Sequence, residues 1–490
     1  MLSVNKLSVS FKFISVLLLG VVLYSCQQPS EDEVGGLLIK NVSIVDPISG
    51  LLENQSVLIQ GNQIKKVGQE IDASGNTEVI DGSGKFLIPG LWDAHVHFAF
   101  IEEIAPKMPN LFLGYGITSV RDTGGEINFV NQWKNESLKN PATFPRVKIA
   151  GPLLDGMPNV YDGSDHSHPP LSVGHQTIDD LTETIGLLDS LGVDLLKAYE
   201  MLTEEQFMQI SQLAKEKQLP VTGHVPLSMD VISVSNAGLG GIEHLRNIEM
   251  SCASNWEELL IERRLLLEAG KDSLGGVLRS SIHAAQRIEA IKNYDEEVAA
   301  KVIAALRANN TYQIPTISLI SGLANRHFAD PGWIQSFQYL PDSIANTWTE
   351  GANRFAQSPT IERFTLHDEW SMMMIKKMYE SDVPFMAGTD TPILFATPGL
   401  SLHKELSLLV EAGFSPIDAL KTATTNPAAY FGMEDELGQV KEGMMADLVL
   451  LSANPLDDIN NTTKINGVIK DGNYMDRDEL NSLLKSPLAL

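Results

Sequence analysis

His95 and His97 stand one residue apart at the end of the apolar run Pro89-Gly90-Leu91-Trp92-Asp93-Ala94. In an extended strand, residues i and i+2 point to the same face, so both imidazoles can reach one metal ion; a helix would not allow this at that spacing. Lys197, His224, His244 and Asp390 follow in order, each at the end of an apolar, strand-like segment. Imidazole nitrogens and carboxylate oxygens are ligands for a divalent ion such as Zn²⁺, and a catalytic site keeps one position open for water. The inventory is that of a metal-dependent hydrolase, spread over one scaffold.

That scaffold must carry all these side chains to one place. Apolar segments at 91–94, 117–120, 147–150, 193–196, 220–222, 241–243, 313–316 and 383–388 are candidate strands. Helix signals lie between several of them. Thr203 and Gln206 form a capping-box pattern before Phe207, Ile210, Leu213 and Ala214, which share one helical face. Ser415-Pro416 and Asn426-Pro427 each place an N-cap residue before a proline at the first helical position. Eight strands alternating with helices predict an α/β fold, a (β/α)₈ TIM-like barrel, over residues 89–436. Three long segments, 151–176, 246–311 and 318–382, each follow a strand and are expected at the C-terminal rim as pocket walls.

Both ends have a different texture. Short strand-like runs fill 37–88, with Gly61-Asn62 as a hairpin signal, and similar runs recur in 437–490. The expectation is one small β-sandwich domain assembled from both ends of the mature chain, 37–88 and 437–490, with the barrel inserted between its halves. Residues 1–25 read as a lipoprotein signal peptide: Lys6 and Lys12 precede an apolar stretch, and Leu23-Tyr24-Ser25-Cys26 forms a lipobox. Cys26 would be lipidated, and 26–36 would be an acidic tether, giving a lipid-anchored protein of the bacterial cell envelope. Cys252 is the one other cysteine, so the core rather than disulfides must supply stability. The net charge of −26 argues against nucleic-acid binding and points to a small-molecule substrate.

The motifs together resemble the amidohydrolase superfamily, in the group of imidazolonepropionases and prolidase-like hydrolases. The resemblance rests on His95-Val96-His97, Leu195-Leu196-Lys197, Thr222-Gly223-His224, Gly241-Ile242-Glu243-His244 and Ala387-Gly388-Thr389-Asp390, with Gly443-Met444-Met445-Ala446-Asp447 leading back into the end domain. It implies two divalent metals, Zn²⁺ by donor chemistry, at the barrel mouth. His95, His97 and Asp390 would hold one ion, His224 and His244 the other, and Lys197 as a carbamate would bridge them. It further implies a metal-bridging hydroxide attacking a polarised carbonyl, with Asp390 as general base, and cleavage of a C–N bond in an amide, dipeptide-like or cyclic-amide substrate.

Tyr199 and Arg246, just beyond ligand positions, are candidate substrate contacts, as are His166 and His168 in the third-strand loop. His403 and Met372-Met373-Met374 read as structural. Val225-Pro226 follows His224 where prolidase-like members carry Ala and an aromatic residue, so their grip on a substrate carboxylate is not carried over. A one-metal deaminase or cyclic-amide hydrolase using His95, His97, His224 and Asp390, a lactonase on the same centre, and a non-catalytic envelope binding protein are the alternatives.

Overall fold

A computed structural model describes residues 36–72, 75–164 and 167–486. The signal-peptide and lipidation readings at 1–25 and Cys26, most of the tether, and His166 lie outside the described residues.

The barrel strands are short and buried on both faces, as parallel strands covered by helices must be. They are β6 (Leu91–Val96), β7 (Ile117–Asp122), β8 (Arg146–Ile149), β11 (Leu196–Ala198), β12 (Val221–Gly223), β13 (Gly241–Glu243) and β14 (Tyr312–Ile314). Two further strands follow β8: β9 (Leu153–Asp155) pairs in parallel with β11 through Leu154 and Ala198, and β10 (Ser172–Gly174) pairs with β9 at the edge of that sheet. Asp194 N donates to Ile149 O (2.8 Å), joining the β8 and β11 sides of the barrel. The eighth segment, 383–388, is extended and closes the circle without a regular ladder. Met386 N donates to Gln313 O (3.0 Å) on one side, and Ala94 N donates to Ala387 O (2.9 Å) on the other. Gly388 is required there, because a Cβ would lie 2.7 Å from the Cβ of His95. The strand read from sequence at 193–196 lies at Leu196–Ala198 instead, which puts Lys197 within the strand. Asp194 pairs with Lys134 (2.7 Å) and Lys148 (3.0 Å).

Residues 246–311 form the helices Ile248–Ser251, Trp256–Ala269, Gly275–Lys292 and Glu296–Ala308, and the later insertion includes Ile317–Asn325 and Glu362–Glu380.

The ends of the chain meet in a single eight-stranded sheet. From the N-terminal side come β1 (Leu37–Asp46), β2 (Gly50–Gln60), β3 (Gln63–Gly68), β4 (Glu78–Asp81) and β5 (Phe86–Pro89), and from the C-terminal side β15 (Leu448–Leu451), β16 (Ile465–Lys470) and β17 (Asn473–Asp476). β5 lies between β1 and β15 and so joins the two halves. The sheet curls over its own core: Ile64 N donates to Met444 O (2.9 Å), and Ala446 N donates to Asn62 O (2.8 Å). The enclosed core includes Ile39, Ile44, Val57, Leu87, Leu448 and Ile469. A last helix, Arg477–Lys485, leaves the sheet and packs on the barrel helix Met108–Gly114, where Leu484 fills the space a side chain at Gly114 would need. Among the described residues no helix is long and apolar enough to cross a membrane.

Candidate metal centre

β6 delivers His95 and His97 to the barrel mouth, and the ends of β12, β13 and the eighth segment deliver His224, His244 and Asp390. The three donor atoms His95 Nε2, His97 Nε2 and Asp390 Oδ1 form a triangle with sides of 3.1 to 3.2 Å. Ligand atoms about 2.0–2.1 Å from a tetrahedral Zn²⁺ lie roughly 3.3 Å from one another, so the triangle has the size of one face of such a site. Asp390 Oδ2 is 3.8 Å from His244 Nε2. The His244 ring centre lies 4.7 Å from that of His95 and 4.9 Å from that of His224, so the four imidazoles form one continuous group.

Every histidine in the group turns the same nitrogen away from the centre. Nδ1 of His95 meets Glu243 Oε2 at 2.6 Å, that of His97 meets Gly124 O at 3.1 Å, that of His224 meets Glu200 Oε1 at 2.7 Å, and that of His244 meets Thr316 Oγ1 at 2.6 Å. Donation from Nδ1–H to a carboxylate or carbonyl fixes the tautomer and leaves Nε2 with its lone pair toward the mouth. Burial pushes His224 down to about 3 despite its Glu200 partner, and holds His244 well below the ordinary histidine range. Burial opposes charge on His97 too, but Asp390 raises its pKa, so a proton and a metal ion compete for that lone pair.

The outer carboxylates are buried charges and need cations. Glu243 accepts from Arg121 Nη2 (2.9 Å) and from the Thr222 hydroxyl, and Arg121 Nε donates to Ala94 O. Burial works against the charge on Glu243, but Arg121, Lys197 and His95 outweigh it and hold the carboxyl well below its usual range. Glu200 binds His224 through one oxygen and His283 Nε2 through the other (2.5 Å). His283 belongs to the helix Gly275–Lys292, so a rim insertion braces a residue of the barrel mouth.

Lys197 is 1% exposed, its Nζ lies 3.5 Å from Glu243 Oε1, and it makes no hydrogen bond. Asp390 Oδ1 is likewise buried without a hydrogen-bond donor. Burial lowers Lys197 to about 8, with Glu243 pulling the other way. Asp390 Oδ1, an orphaned oxygen among converging lone pairs, fits a bound cation, since groups this deep otherwise find partners.

His244, Asp390 and Thr316 all have positive φ, at 57°, 60° and 44°. Non-glycine residues in this region cost about 1–3 kcal/mol each, and here they turn three strand ends into the mouth.

Above the centre is a cavity of about 450 Å³. Tyr199 and Arg246 line it, as expected. Tyr199 is buried, its ring centre lies 4.4 Å from that of His224 at a tilt of 37°, and it accepts a hydrogen bond from Arg279 Nη1 (3.1 Å). Leu153, Tyr161 and Leu171 carry the 151–176 loop into the wall. His168 is not among the residues lining the cavity; its ring centre lies 5.8 Å from that of Tyr161, and it sits against Gly276. His403 is structural, bonding Thr462 Oγ1 (2.9 Å) and Tyr115 O (3.0 Å). Met374 is fully buried, as the helix-core reading required.

The sequence reading missed Glu200, Glu243, Arg279, His283 and Arg287. Arg279, His283 and Arg287 recur every fourth residue, a polar stripe on one helical face that was legible in the sequence but had no partner to give it meaning.

The fold is shared with known proteins. A 62-residue stretch is 50% identical to the dihydroorotase of Streptococcus thermophilus, covering 13% of this chain and 14% of that one. The imidazolonepropionase of Geobacillus sp. is 23% identical over 419 residues, covering 82% of this chain and 84% of that one. A solved Xaa-Pro dipeptidase with bound methionine superposes with a TM-score of 0.64 at 20% identity, covering 90% of this chain and all of that one. The amidohydrolase family model matches residues 86–475. The chain belongs to the amidohydrolase family.

Proposed function

We propose that this protein hydrolyses the C–N bond of a small amide with two divalent ions, Zn²⁺ by donor chemistry. His95, His97 and Asp390 would hold one ion and His224 and His244 the other, with Lys197 carbamylated between them. The observation that carries the reading is that all four histidines anchor Nδ1 outside and present Nε2 inside. Family membership supports the reaction class. Bound divalent ions lower the pKa of water toward neutrality and polarise a carbonyl oxygen.

The chain's own groups do the rest. Glu243 and Glu200 orient His95 and His224 and raise their basicity. Asp390 accepts a proton at a carboxylate oxygen and returns it to the departing nitrogen. A one-ion centre is the second reading, because the ligand atoms of His95, His244 and Asp390 already lie within 4.8 Å of one another.

The test is amine release from a panel of N-acyl amino acids, dipeptides and cyclic amides. Turnover should vanish with a chelator and return with Zn²⁺; a panel left untouched by the metal-loaded protein would overturn the reading.

The proposal includes an address. The lipobox at Cys26 supports a lipid-anchored protein of the bacterial envelope. A Cys26→Ala variant expressed in a bacterial host should shift from the membrane to the soluble fraction, and equal distribution of both forms would rule out the anchor.

A further inference from the structure

The cavity wall is strongly basic in a protein of net charge −26. Arg246, Arg279, Arg287 and Arg363 all line it, and among its described lining residues Asp390 is the one carboxylate. The charges behind the wall do not cancel this set. Glu200 is the nearest acid to Arg246 (3.6 Å) and Arg279 (3.8 Å), but both its oxygens are held closer by His224 and His283. Arg246 Nε and Arg279 Nε are buried and make no hydrogen bond. Glu249 serves Arg287 alone (3.0 Å). Arg363 stands at the exposed rim over the Phe364 ring. Four guanidinium groups thus face two carboxylates, and buried donors remain unsatisfied. Leu319, Ile320, Leu323 and Ile393 supply an apolar part of the same wall.

We infer that the substrate is an N-acylated acidic amino acid, with an apolar acyl group and an aspartate or glutamate as the amine half. The inference rests on the amide-hydrolase reading and names its substrate class. Guanidinium forks match carboxylates in charge and geometry. An amino-acid amine half brings one carboxylate, and an acidic side chain brings the second without adding a cation. A free dipeptide would place an ammonium in a wall whose one acid is Asp390, so the acyl half carries no amine. In the reaction, water oxygen joins the carbonyl carbon, the C–N bond breaks, and the nitrogen takes a proton. The products are a carboxylic acid and the free acidic amino acid.

The experiment compares N-hexanoyl-L-glutamate, N-hexanoyl-L-glutamine and the dipeptide Leu-Glu as substrates of the Zn²⁺-loaded protein. In parallel, L-glutamate and L-glutamine are titrated by calorimetry, with ammonia release followed so that any hydrolysis of the glutamine side-chain amide is separated from binding. The glutamate substrate should exceed the glutamine isostere in kcat/KM by roughly 10–100-fold, chiefly through KM, and should also exceed the dipeptide. L-Glutamate should bind more tightly than L-glutamine, and Arg287→Gln and Arg363→Gln should each shrink both preferences. Hydrolysis of neutral amides without an acidic preference would overturn the anion site and leave the amide reading standing. Selective glutamate binding without turnover of any amide would support the site and overturn that reading. Equal binding of the two amino acids would overturn the site whatever the turnover.

Discussion

Replacing Asp390 by asparagine is expected to lower kcat by about 10²–10⁴-fold while leaving the fold in place. The carboxylate is ionised at neutral pH: burial opposes its charge, but His244 and His95 outweigh burial and hold it well below the usual carboxylate range. Its Oδ1 lies 3.1 and 3.2 Å from His95 and His97 Nε2, where no other acid is placed to take a proton. Asparagine keeps the shape and removes the charge and the proton-accepting oxygen. It also tolerates the positive φ of 60° that Asp390 adopts, better than most residues would. The backbone bond from Asp390 N to His95 O (2.8 Å) is untouched. Measurement at saturating Zn²⁺, beside the melting temperature and the bound-metal ratio, separates lost proton transfer from lost ligation. Near wild-type turnover in a metal-loaded variant would refute the role.

Lys197→Ala is expected to reduce bound metal from about two ions per chain to about one, and kcat/KM by roughly 10²-fold or more. Lys197 is 1% exposed, and its ion-pair partner is Glu243 Oε1 at 3.5 Å. Removing it leaves a space inside the barrel and takes a cation from Glu243, and breaking such a pair costs about 3–5 kcal/mol. Lys197→Met keeps the volume and separates packing from chemistry. Wild-type protein purified without CO₂ and reloaded with bicarbonate should regain its second ion, which neither variant can do. One ion in both wild type and variants, independent of bicarbonate, would establish the one-ion centre on His95, His244 and Asp390.

The sequence by itself determined the barrel and the members of its mouth. Strand period places His95 and His97 on one face whatever surrounds them, and eight apolar runs alternating with helix signals, several ending in a ligand-type residue, point to a barrel. The exact span of β11 was less legible: Val193 to Leu196 and Leu196 to Ala198 each hold one charged residue among apolar ones, and the decision falls to the pairing of Leu196, Lys197 and Ala198 with Val221, Thr222 and Gly223. The end domain was legible as strands but not as a curled sheet, because the pairing of β3 with 443–446 is set by residues nearly 400 positions apart.

Tertiary structure alone decided which charges meet. Glu200, Glu243 and Arg121 are ordinary polar residues in the sequence, and only burial gives each a required partner. Arg279, His283 and Arg287 show helical spacing, but their meaning comes from a helix that a long insertion brings over the barrel mouth. Local periodicity governs which face a side chain takes. What stands opposite that face depends on long-range packing, and it is there that the Nδ1 anchors and the arginine-lined wall are made.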